Sequence, residues 1–198
     1  TMEKDENGAS NEATLQLIDE INGSCISLFQ EKYGAYEQVF KNADEMTIIR
    51  RMHQNLIEAK ELEKVHQTES ATYARKFRKS INECVIALLQ LEFPGDLSNI
   101  LTEEKIKKNH NLHLKEAKER MVTKFQPRWR IWRLIPIGSM SGMGISRVNT
   151  LWQAFRDKSY VDMDAMLKTD TLKNHYYDTI NFCTFMLVRL AERKTIEA

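Results

Sequence analysis

Cysteine, proline and glycine are all scarce in this chain, and each shortage excludes something. The three cysteines, Cys25, Cys84 and Cys183, are an odd number and form no CxxC pair. A disulfide framework is set aside, and three buried thiols in a reducing, intracellular setting are expected. No glycine or proline falls between positions 44 and 91, so nothing there interrupts a helix. No apolar run approaches the roughly 18 residues of a membrane span. Neither sign of charge dominates: 29 basic and 28 acidic residues give a formal net charge of +1. No global field therefore favours nucleic acid or an anionic membrane, and any basic recognition is local. P-loop, GxGxxG and GxSxG motifs are absent. The N-terminal TMEKDENGASNEA is acidic and polar, unlike a signal peptide. A Thr ahead of Met2 and a still-helical RLAERKTIEA ending point to a piece of a longer protein.

Helical periodicity fills most of the 198 residues. Residues 1–11 are predicted to be disordered, and residues 12–198 to form a single helical domain. Leu15, Ile18, Ile21, Cys25, Leu28 and Phe29 recur at threes and fours on a first helix that Gly34 ends. Tyr36, Val39 and Phe40 mark a short second piece. Asp44 caps a long helix to about His66 with the stripe Met46, Ile49, Met52, His53, Leu56, Ala59, Leu62 and Val65. A further run from Ser70 to Leu91 either continues it as a rod or meets it near Thr68, and Phe93-Pro94-Gly95-Asp96 stops it. Thr102, followed by Glu103 and Glu104, starts another helix that Pro127 ends. Asn149 or Thr150 caps a short helix with Leu151, Trp152 and Phe155. Val161 to Leu167 is a second short one. Asp170 caps the last, Thr171 to about Lys194.

The exception is Arg128 to Val148. It holds Gly138, Gly142 and Gly144 of the seven glycines, Pro136 with Pro127 beside it, and Trp129 and Trp132 of the three tryptophans. Two short aromatic or β-branched arms around a Gly/Ser loop predict a bulged β-hairpin at about 128–148. The expected fold class is all-α, an elongated helical domain with a protruding β-hairpin inserted between helices. Its loop is apolar where a surface turn is normally polar: Ile135, Pro136, Ile137, Met140 and Met143. Either the loop folds back and buries Ile135, Ile137 and the methionines in the parent core, or the tip projects. Pro136 stiffens the tip and tryptophans hold its base, which favours a projecting Ile-Pro-Ile wedge suited to a partner's pocket.

Other chemistry is weaker. His110, His113 and Glu116 share a helix face at metal-ligand spacing, but no second helix supplies a partner motif, and a solvated polar face explains them. Asp162-Met163-Asp164 matches DxD, yet sits where aspartates favour a helix start. The cysteines are flanked by apolar residues, as core thiols are. Arg128, Arg130 and Arg133 interleave with Trp129, Ile131 and Trp132. Such an arm suits an alternative role in peripheral membrane or nucleic-acid binding, but tryptophans that anchor the hairpin base to the helical body are the favoured account. No catalytic residue, cofactor, metal or nucleic-acid partner is expected.

The stretch WRLIPIGSMSGMG, Trp132 to Gly144, set in a helical domain of this size, resembles the N-terminal domains of RidL-type effectors that Legionella secretes into host cells. The resemblance implies binding to the host retromer coat, with the hairpin tip in the hydrophobic groove of its phosphoesterase-like small subunit. It implies displacement of a TBC-type Rab GTPase-activating protein, and inhibition of retrograde trafficking from endosomes by molecular mimicry. Ile135, Pro136 and Ile137 would be the wedge, with Arg133, Leu134, Ser139 and Met140 as flanking contacts. Localisation would be the host cytoplasm and, through the partner, endosomal membranes.

Overall fold

The computed structural model describes residues 11–125, 129–160 and 165–197. Expectations for residues 1–10, for the aspartates of the DxD and for the 161–164 part of a short helix lie outside them. The described chain is all-helical, with no strand. Its helices are α1 (Asn11–Glu31), α2 (Tyr33–Asn42), α3 (Glu45–Lys64), α4 (Ala71–Glu92), α5 (Glu103–Arg120), α6 (Trp129–Trp132), α7 (Met140–Tyr160) and α8 (Ala165–Glu197). A 3₁₀ turn covers Gly95–Ile100, a π-helical turn Met121–Phe125 and a second 3₁₀ turn Ile137–Ser139.

Local chemistry sets several boundaries as expected. Asp44 Oδ1 accepts from the Thr47 amide at 2.7 Å, Ser70 Oγ from Tyr73 at 3.1 Å, and Thr102 Oγ1 from Lys105 at 3.3 Å. Each satisfies a donor that a helix start leaves without an intrahelical partner. The 44–91 region is a pair of helices: His66 turns through a left-handed φ of 58° and Ser70 restarts the chain. Arg51 to Glu83, Glu58 to Lys76 and Glu63 to Tyr73 then tie α3 to α4 in antiparallel order. Gly95, at φ 63°, completes the break after Pro94.

Helices α4 and α8 pack on each other at the centre, with α3 and α7 on one side and α1 and α5 on the other. Central placement removes the solvent face that an amphipathic pattern implies. Every residue from Ser80 to Leu89 is buried, including Asn82 and Glu83. Outer layers answer Asn82 and one carboxylate oxygen of Glu83, while Glu83 Oε2 is buried without a hydrogen-bond partner. Asn82 Nδ2 donates to the Cys25 carbonyl at 3.1 Å, and Glu83 holds the Arg51 guanidinium at 2.8 Å.

The β-hairpin is overturned. Trp129–Trp132 is a helical turn, and α7 starts at Met140, well before the expected cap at Asn149 or Thr150. Gly144 accounts for part of the difference. A Cβ at Gly144 would lie 3.1 Å from both δ-methyls of Leu56 and 3.3 Å from Phe182 Cε1. Gly144 thus lets α7 approach α3 and α8 closely, a packing use of glycine that looks the same in sequence as a turn use. The separate start at Asp170 is also overturned, because α8 runs unbroken from Ala165 and Asp170 lies within it.

Candidate functional site

The side chains weighed for chemistry are dispersed into structural tasks. His110 is fully buried, stacked on Phe29 at a centroid distance of 4.0 Å, with Nε2 2.9 Å from Asn82 Oδ1. Nε2 is therefore the protonated nitrogen. Burial pushes its pKa down to about 3. His113 faces a different set of partners. Its Nε2–H donates to Glu92 at 2.9 Å, and Tyr177 OH donates to Nδ1 at 2.7 Å, joining α4, α5 and α8. Glu116 accepts from Arg120 Nε at 2.7 Å. Among the described residues no cluster of His, Cys, Asp and Glu is placed to hold a metal. The three thiols are buried, and burial raises the pKa of each; Cys84 Sγ lies 3.1 Å from Met52 Sδ.

The segment from α6 to the start of α7 differs in kind, because it combines rigid backing with an apolar outer edge. Two tight turns follow α6: Leu134 N–H donates to Ile131 O at 3.1 Å and Ile135 N–H to Trp132 O at 3.2 Å. Pro136 then enters the 3₁₀ turn, and the Ser139 amide donates back to the Pro136 carbonyl at 2.9 Å.

Four attachments hold this path. Arg133 is 7% exposed and grips Glu192 with two nitrogens, Nη2 at 2.7 Å and Nε at 3.3 Å, while Nη2 also reaches Thr14 Oγ1 at 2.9 Å. Such a fork restrains orientation as well as distance. Trp132 meets the edge of Phe185 at 5.2 Å. Arg189 donates to the Ile135 carbonyl and, at 3.4 Å, to that of Trp132. Glu63 receives the first turn of α7, accepting from the Ser141 amide at 2.9 Å and its hydroxyl at 2.5 Å. A carboxylate there also suits the positive end of the helix.

The seven residues singled out from the sequence separate accordingly. Arg133 and Met140 are buried and support the segment from within. Ile135 and Ile137 are half-buried, with Ile137 packed against the core. Leu134, Pro136 and Ser139 are exposed, Leu134 at 75%. Ile131 joins them at 64% exposure, one helical turn before Leu134. It was not among the expected contacts; its i, i+3 relation to Leu134 becomes visible only once the arm is read as helix. Arg133, committed to Glu192, is not free to neutralise a phosphate. The side chains of Arg128 to Arg130, the rest of the basic arm, lie outside the described residues. No described helix is long and apolar enough to cross a membrane.

No family model, curated protein or solved structure matches the chain.

Proposed function

We propose that the chain is a non-enzymatic protein-binding module that presents Leu134, Ile135, Pro136 and Ile137, with Ile131 and Ser139 beside them, to a hydrophobic groove. The observation that carries it is the exposure of Leu134 and Ile131 on a backbone pinned by Arg133, Arg189 and Glu63. A large apolar side chain held outward on ordered backbone loses little entropy on docking. Burying two such side chains contributes about 1.5–3 kcal/mol each before ordering costs, which suits a small, modest-affinity contact.

The partner class comes from the resemblance over Trp132 to Gly144. The chain would be a secreted bacterial effector domain that binds the phosphoesterase-like small subunit of host retromer. It would displace a TBC-type Rab GTPase-activating protein and inhibit retrograde trafficking in the host cytoplasm and at endosomal membranes. The contact is a pinned helical turn in place of a hairpin tip.

Binding of the chain to purified retromer small subunit, measured by calorimetry, tests both levels. Leu134→Asp is expected to abolish it with no change in helical content or thermal midpoint. Unchanged affinity in Leu134→Asp and Ile131→Asp would refute the surface. Failure of the wild-type chain to bind would refute the partner.

A further inference from the structure

A cleft of about 500 Å³ opens between the π-helical turn, α7 and α8. Trp132, Phe182 and Met143 form its apolar side, and Lys124, Arg147 and Asp178 its charged side. The volume lies in the range of small-molecule sites, and an apolar wall with few convergent polar groups is the usual make-up of one.

The charges do not cancel. Lys124 Nζ lies 3.0 Å from each carboxylate oxygen of Asp178, so those two neutralise each other. Arg147 is half-buried and makes no hydrogen bond or ion pair with any described residue. The described charges lining the cleft thus leave one uncompensated guanidinium beside two aromatic rings. His175, which feels Asp178, Arg147 and Lys124, does not supply a competing charge. Burial lowers its pKa first, and the two cations lower it further against the pull of Asp178. Its Nδ1 is buried without a partner. A half-buried guanidinium is well suited to a planar carboxylate, which it meets with two parallel donors.

We infer that this cleft binds a small flat aromatic acid, its ring against Trp132 and Phe182 and its acid group on Arg147. The site is separate from the docking edge at Leu134 and stands or falls independently of it.

Calorimetric titration with 2-naphthoate and its neutral isostere 2-naphthamide tests the assignment, with amide NMR shifts to locate the probe. The acid is expected to bind about tenfold more tightly than the amide, the worth of one charge-assisted contact. Shifts should concentrate at residues 143–150 and 175–182. Arg147→Gln should erase the advantage of the acid, Arg147→Lys should retain part of it, and Leu134→Asp should change neither affinity. Because Arg147 has no partner to lose among the described residues, the thermal midpoint of Arg147→Gln should match the wild type. Absence of saturable naphthoate binding, equal affinity for acid and amide, or an undiminished preference in Arg147→Gln would each overturn the inference.

Discussion

Helix α4 and the segment from Trp129 to Gly144 depart from their sequence patterns in opposite directions. In α4, residues 80–89 of a helix patterned as one-sided are buried on all sides, and Asn82 and Glu83 of its expected outer face are paired with neighbouring helices. In the later segment, residues patterned as turn and strand are helical, and some of its apolar residues stay outside. The difference shows what periodicity measures. It reports that a stretch is helical when a stripe is long, as in α4. It does not report how many neighbours the helix will have, and in a short Gly-rich stretch it reports neither.

Cutting the attachments of the later segment gives the largest expected effect. Arg133→Ala leaves the Glu192 carboxylate, 19% exposed, without its guanidinium partner. A loss of about 3 kcal/mol is expected, as for other broken buried pairs, read by urea unfolding. An effect under about 0.5 kcal/mol, the usual size for a surface change, would mean that the segment is held chiefly by Trp132 and Arg189.

The two α7 glycines separate the packing use of glycine from the turn use. Gly144→Leu drives a side chain into Leu56 and Phe182 and should cost about 3 kcal/mol by overpacking. A Cβ at Gly142 meets nothing within 4 Å, so Gly142→Ala should stabilise α7 by up to about 1 kcal/mol. A hairpin would reverse the second sign, because alanine would then occupy a turn position that needs glycine. Thermal midpoints of the two variants decide it.

The centre is sharpened by pH. His110 has a folded pKa of about 3, below the roughly 6.5 of an unfolded chain. A depressed folded value means that its contribution is fully present above pH about 6.5. It is lost as pH falls, because the unfolded chain takes up the proton first, and the loss levels off below pH about 3. Between pH 7 and 5 the loss from this group is about 2 kcal/mol. His110→Gln should flatten that part of the unfolding profile, whereas an unaltered slope would place the dependence on other groups.

Much of the helical frame was legible because its signals are local. Asp44, Ser70 and Thr102 each cap a helix within three residues of themselves, and Pro94-Gly95 stops one with no outside help. Continuous stripes such as Ile49, Met52, Leu56 and Ala59 place their own faces inward. The segment around Ile135 was legible only as an exception. The side chains that shape it, Glu63, Glu192, Arg189 and Thr14, come from α1, α3 and α8, tens of residues away. The cleft beside Arg147 was not anticipated at all, for it has no motif.

By itself, then, the order of residues determined the all-helical class, the principal caps and breaks, and the inward stripes, since each depends on neighbours within a few positions along the chain. Tertiary structure decided whether Gly144 meant turn or close packing, and that Arg133 would be an anchor while Leu134 beside it stays exposed. It also decided that Arg147 has no hydrogen-bond or ion-pair partner among the described residues. Those outcomes depend on which distant carboxylate, methyl or ring arrives alongside, and a local pattern holds no record of that.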